Sequence, residues 1–209
     1  MVTAPAPAGL HGRAVRKATP ADVDRLADAL ARAFDGDPPM QWFLPDAESR
    51  VERARGLFDV MLRRVHIERD HCYTTEDVVG GALWVAPGAR RLGIVAQLAL
   101  LPGMLRVFGR GLARAQRGLA AMEAGHPREP HYYLDSLGVV PEWQGRGIGS
   151  ALMAPVLARC DAERMPAYLN AGSPRSRELY RRHGFEVTEE FQLPDGGPPL
   201  WRMWREPQV

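Results

Sequence analysis

The sequence predicts a mixed α/β fold with one domain over residues 13–209. Three observations carry this. Strand-like runs alternate with stretches of helical spacing, the second half reads strand, helix, strand, helix, strand, strand, and no segment of the 209 residues repeats another. A chain of that length can bury one real core.

The elements follow in order. Residues 1–12, "MVTAPAPAGLHG", are rich in Ala, Pro and Gly without periodicity and read as a disordered tail. Residues 13–18 read as a first strand. A helix begins at "TPADVDRLADALARAF", with Thr19 as the cap and Pro20 at the first helical position. "DGDPPMQWFLP" at 35–45 reads as an acidic, aromatic loop broken by prolines, and helical spacing resumes over 46–67. "HCYTTEDVVGGALWVAP" holds two strand-like runs about Glu76 and Asp77, a hairpin. Helices are expected over 91–100 and 103–124, separated by Pro102. "HYYLDSLGVV" has the aromatic and β-branched content of a strand, and "GIGSALMAPVLARCDAE" has helical spacing interrupted by Pro155. "PAYLNAG" reads as a strand, "PRSRELYRRHG" as a helix closed by Gly184, and "FEVTEEFQL" with "LWRMWR" as a terminal hairpin.

Composition narrows the chemistry. The formal charge of +2 gives no electrostatic reason to expect a nucleic acid partner. Lys17 is the only lysine, so a lysine nucleophile and a phosphate-loop lysine are both set aside. Two cysteines, Cys72 and Cys160, with no CxxC and no signal-peptide pattern fit a reducing cytoplasm. The most apolar run, "LGIVAQLALLPGML", falls short of the ~20 residues of a membrane span, so no membrane partner is expected.

The glycine turn "QGRGIG" at 144–149 admits several readings. A dinucleotide fingerprint would want a third glycine where Ser150 or Leu152 stands. A phosphate loop would need a lysine. An anion cradle needs only a helix N-terminus with unhindered N–H groups, which Gly145, Gly147 and Gly149 would supply with Arg146 beside them. A tight strand-to-helix turn with no ligand is the plain structural alternative.

In its setting after "LGVVPEW", "QGRGIG" resembles the acetyl-CoA signature of the GNAT N-acetyltransferases. "SPRSRELYRRHGF" at 173–185 resembles that family's second signature, with a tyrosine four residues before Gly-Phe. The stretches "EPHYYLDSLGVVPEWQGRGIGSAL", "LYRRHGFEVT" and "LPDGGPPLWRM" look like the puromycin N-acetyltransferase branch. The resemblance implies a GNAT fold: a mostly antiparallel twisted sheet with a splayed parallel pair, helices on both faces, and 91–126 as a helical lid near the acceptor. It implies acetyl-CoA as co-substrate, with Leu137, Gly138 and Val139 along the pantetheine arm, and Gln144, Gly145, Arg146, Gly147, Ile148, Gly149 and Ser150 around the pyrophosphate. Tyr180 falls where the family's tyrosine protonates the departing thiolate. Ser173 stands where many members have a cofactor-contacting asparagine, so Ser173 or Ser176 is expected to substitute.

Acetyl transfer from a thioester to an amine needs alignment, oxyanion stabilisation and proton traffic rather than a covalent enzyme intermediate. The Val139 N–H is the expected oxyanion donor. Asp135 on the strand is the first candidate base, with Glu142 and Asp37 as alternatives. Trp42, Phe43 and Trp84 are expected to line an acceptor pocket, with Asp35 or Asp37 attracting a cationic amine. A core role for Trp84 is an equal expectation. His66, His71 and Cys72 complete no metal spacing. The expected activity is acetylation of a small-molecule primary amine, aminonucleoside-like antibiotics included. Acetylation of proteins and a non-catalytic acyl-CoA-binding module are the alternatives. Trp201 and Trp204 of the terminal hairpin suit either a homodimer surface or a dry core.

Overall fold

The computed structural model describes residues 14–67, 71–89 and 94–208. Its strands are β1 (Val15–Lys17), β2 (Cys72–Thr75), β3 (Gly80–Val85), β4 (Tyr132–Val139), β5 (Ala167–Ala171), β6 (Glu186–Gln192) and β7 (Pro199–Arg205). They form one seven-stranded sheet in the order β1-β2-β3-β4-β5-β7-β6. Every neighbouring pair is antiparallel except β4 and β5, which run parallel. The sheet is therefore the mostly antiparallel one, with a parallel pair, that the family resemblance implies. The reading of residues 1–12 as a tail lies outside the described residues.

The helices are α1 (Val23–Phe34), α2 (Pro38–Phe43), α3 (Arg50–Met61), α4 (Ile94–Phe108), α5 (Leu112–Ala124), α6 (Ile148–Glu163) and α7 (Pro174–Arg181). The start of α1 is fixed by Asp22, whose carboxylate accepts from the Thr19 N–H and hydroxyl, both at 2.8 Å, and from the Arg16 guanidinium at 2.7 and 2.8 Å. Arg16 beside it holds the Asp22 carboxyl far below the usual carboxylate range. Two expectations shift. Residues 35–45 are not all loop, because Asp37 caps the short helix α2 by accepting from the Met40 N–H at 3.2 Å. The break expected at Pro102 falls at Gly109–Gly111: exposed Pro102 is tolerated within α4, while Gly109, at φ 49°, ends it.

The sheet separates two cores. On one face α6, α7 and Phe185 pack Leu152, Met153, Val156 and Tyr180 against Trp84, Leu134 and Leu169. On the other, α1, α3 and the turn that follows α3 bring Leu26, Leu30, Phe58 and Leu62 onto Leu83, with Val107 and Phe108 of α4 beside them. Trp201 belongs to the first core and donates to Glu190 at 2.8 Å; Trp204 is half-buried.

One irregularity positions the site. Leu83 pairs with Ser136 but Trp84 pairs with Leu134, so Asp135 is an extra residue on β4. This bulge inverts the alternation of the strand. Tyr132 and Leu134 before it, and Leu137 and Val139 after it, all join the same core. Gly138 consequently faces α1, where an added Cβ would lie 2.9 Å from Phe34, 3.0 Å from Ala33 and 3.0 Å from Leu30. Gly138→Ala is expected to destabilise the protein by about 2 kcal/mol through overpacking, read as a lower denaturant midpoint at constant m.

Candidate active site

β4 and β5 pair only from Tyr132 with Ala167 to Leu134 with Leu169. Beyond that point β4 stays with β3 and β5 with β7, and a cleft of about 1070 Å³ opens between them. Asp135 through Val139 line it from β4, and Asn170 and Gly172 from the β5 side. Among the described residues, the splay leaves the backbone of β4 beyond Leu134 without a partner strand on that edge, which suits an extended ligand added as a strand.

At one end of the cleft lies the glycine turn. Gly145 and Gly147 have φ of 76° and 79°, and a Cβ at either would meet nothing within 4 Å. The space before the turn is open. The first helical bond of α6 runs from the Ala151 N–H to the Gly147 carbonyl at 3.0 Å, so the N–H groups of Ile148, Gly149 and Ser150 precede the helical ladder. They stand at the positive end of a sixteen-residue helix. Gln144 secures the turn by donating to the Val139 carbonyl at 3.0 Å, and the Ser150 hydroxyl is hydrogen-bonded to His183 at 2.8 Å. Gln144, Gly145, Gly147, Ile148, Gly149 and Ser150 all line the cleft. Arg146 departs from expectation: its exposed side chain stacks over Trp143 at 4.4 Å and does not line the cleft.

Tyr180 reaches the cleft from α7, edge-on to Phe185 at 6.0 Å. Burial, with the Asp37 charge adding to it, raises its phenol well above the usual value. Asp37 itself is pushed up to about 6 by burial, against the lowering effect of the Met40 N–H. Ser173 and Ser176 both line the cleft and cap α7 reciprocally, with Ser176 N–H to Ser173 Oγ at 3.2 Å and Ser173 N–H to Ser176 Oγ at 3.1 Å.

Phe34, Met40, Phe43, Phe58 and Met61 form the apolar side of the same cleft, and Leu119, Met122 and Glu123 of α5 close over it. Two of the expected aromatics are elsewhere. Trp84 is fully buried in the α6-side core, because the alternation of β3 turns it to that face and leaves Val85 to the cleft. Trp42 packs outside, edge-on to Phe43, with Arg114 over its ring and Gly118 and Gly197 against it. Two of the carboxylates are engaged in ion pairs off the cleft: Asp35 with Arg50 at 3.3 Å, and Glu142 with Arg32.

Asp135 lines the cleft, and so does a histidine that no sequence motif singles out. A π-helical turn, Leu62–His66, continues α3 and delivers His66 to Asp135, with Nε2 to Oδ2 at 3.1 Å. The extra residue of a π turn breaks the α-helical spacing that would otherwise place His66 on a face of α3.

Comparison with known proteins agrees with this geometry. Residues 107–185 match the model of the acetyltransferase (GNAT) family. An uncharacterized N-acetyltransferase of Schizosaccharomyces pombe is 26% identical over 94% of this chain and 84% of its own length. A solved structure from Corynebacterium glutamicum, described as histone acetyltransferase HPA2 and related acetyltransferase, is 29% identical, with TM-score 0.71 over 95% of this chain and 98% of that one. The Drosophila melanogaster polyamine N-acetyltransferase shares the fold at 14% identity, with TM-score 0.60 over 93% and 99% of the two chains. A glycine cradle before α6 and a splayed parallel pair thus accompany the GNAT match that spans residues 107–185, and the relatives that resemble this chain are described as acetyltransferases.

Proposed function

We propose that the protein transfers an acetyl group from acetyl-CoA to the primary amine of a small molecule carrying an apolar body. One observation carries the reading: a single cleft joins the glycine cradle to an apolar chamber closed by α5. An anion cradle, a strand edge without a partner and a protonated tyrosine form a set that fits the co-substrate. When bound, acetyl-CoA supplies an activated thioester carbonyl.

The residues divide the work. Gln144 to Ser150 hold the pyrophosphate, with the backbone N–H groups of Ile148, Gly149 and Ser150 as donors and Arg146 adding positive charge from outside the cleft. The backbone of Leu137, Gly138 and Val139 pairs with the pantetheine arm, and the Val139 N–H stabilises the oxyanion. Ser173 and Ser176 hold the start of α7 and contact the co-substrate. Tyr180 donates to the departing sulfur. Asp135 serves the proton transfer from the amine, and Asp37 attracts it while still cationic.

The Asp37 assignment has a pH signature. Its folded value of about 6 lies above the unperturbed 3.8, so the folded state binds the extra proton between those values. Stability from this residue is full below pH 3.8 and is lost as pH rises through 6. Asp37→Asn is expected to remove that slope, on the order of 2 kcal/mol, from the pH dependence of unfolding. Acceptor binding goes the other way. KM for a cationic amine is expected to rise as pH falls through about 6, and in Asp37→Asn this dependence should vanish.

Protein acetylation is the second reading, favoured by the description of the Corynebacterium glutamicum relative. Values of kcat/KM for arylalkylamines and puromycin, set against amino-terminal and lysine peptides, decide between them. A preference for the small amines supports small-molecule acetylation; a preference for peptides replaces it with protein acetylation.

A further inference from the structure

We propose that Asn170 reads the acceptor: its side-chain amide donates a hydrogen bond to an oxygen that the acceptor carries a few bonds from its amine. The acceptor class is then a primary amine with an ether, hydroxyl or carbonyl oxygen on an apolar body. The inference rests on the small-molecule amine reading above.

Asn170 stands where the two parallel strands part. Leu134 with Leu169 is the last pair between β4 and β5, so Asn170 is the first residue of β5 with no β4 neighbour. Leu169 and Ala171 on either side of it belong to the α6-side core. The alternation of the strand therefore turns Asn170 to the opposite face, where Phe34, Phe43 and Phe58 line the apolar side of the cleft. There it is half-buried and lines the cleft itself. The amide is also oriented. The Tyr168 hydroxyl donates to Asn170 Oδ1 at 3.0 Å, which engages the oxygen end and leaves the N–H groups of Nδ2 to the cleft. That nitrogen is neither buried nor hydrogen-bonded among the described residues. Water can satisfy it until an apolar body fills the chamber; from then on only an oxygen on that body can.

The surroundings complement such an acceptor. Ionised Asp37 and Asp135 only accept, which suits an ammonium group, and Asn170 supplies the donor that they lack. Gly172 lies two residues on, about 7 Å in extended backbone. A Cβ at Gly172 would lie 3.0 Å from Asp37 Oδ1. An amine at Asp37 and an oxygen at Asn170 thus belong to one short linker. Arg202, the β7 partner of Asn170, does not compete for that oxygen. Its guanidinium is buried, paired with Glu189 at 2.6 Å and donating to the Ala121 carbonyl at 2.9 Å.

The test sets benzyloxyethylamine and benzyloxypropylamine against phenylbutylamine and phenylpentylamine, in which a methylene replaces the ether oxygen and nothing else changes. With the wild type, kcat/KM for at least one ether is expected to exceed that of its carbon analogue about tenfold or more, because a site built to donate rejects the analogue that cannot accept. In Asn170→Leu that ratio should fall to near unity. Asn170→Asp, which still accepts from Tyr168 but has no N–H to give, should lose the preference as well. KM for acetyl-CoA should stay within about twofold of the wild type in both variants. The ratio compares two acceptors on one protein, so a loss of folded enzyme cancels in it. Should Asn170→Leu fail to fold, Asn170→Asp decides. A preference that survives in the variants would overturn the proposal and leave amine acetylation standing. So would a wild type that favours neither ether, whether it turns over all four amines alike or none of them. A wild type that acetylates no amine at all would overturn the amine reading and this proposal with it.

Discussion

Tyr180→Phe is expected to lower kcat by about 10²-fold while leaving acetyl-CoA affinity close to that of the wild type. The ring is retained, so the contact with Phe185 and the packing of α7 survive. Only the hydroxyl is lost. Burial holds that hydroxyl protonated, and it can donate to sulfur as negative charge builds there. Without it, the thiolate must leave into a largely apolar pocket with no donor. The split between kcat and binding separates this role from a structural one, for which affinity and melting temperature would fall together. Acceptors that are cationic and acceptors that are neutral should lose equally, because the sulfur departs in both reactions.

The second large effect belongs to the cradle. Gly147→Val is expected to weaken acetyl-CoA binding about a hundredfold, read by calorimetry or by KM. At φ 79° a β-branched side chain is strained, and its Cβ would project into space that the glycine leaves open. Relief of that strain would turn the N–H groups of Ile148, Gly149 and Ser150 away from a common anion. Melting temperature should fall only modestly, because a Cβ at this position meets no atom of the folded protein within 4 Å. A variant that loses stability but keeps its affinity would make the turn a structural device.

Much of this arrangement is legible in the residues. Strand patterning, the Thr19 and Pro20 start, the Gly184 stop and the two signatures locate the sheet, α1, α7 and the cradle, because each is a local preference written over a few neighbours. The acceptor side is harder to read. Trp84 and Val85 are adjacent and both apolar, and only the direction of β3 decides which of them meets the cleft. The bulge at Asp135 is a property of pairing between β3 and β4, so no pattern within β4 announces it. His66 completes no spacing with His71 and Cys72, yet its partner lies 69 positions away in the chain. Asp35 and Glu142 are plausible carboxylates in sequence, and it takes the positions of Arg50 and Arg32 to engage them elsewhere. Local chemistry is visible; contacts between distant elements are not.

The most direct test of the central claim is the mass balance of the reaction. Purified protein is given acetyl-CoA and each member of a panel of small primary amines with apolar bodies, puromycin included, and both free CoA and acetylated amine are measured. The expected result is saturable, equimolar formation of the two products with at least one amine, abolished by Gly147→Val at low acetyl-CoA and strongly reduced by Tyr180→Phe. CoA release without any acetylated amine, or acetylated product only from peptides, would contradict the assignment of this cleft to small-molecule amine acetylation.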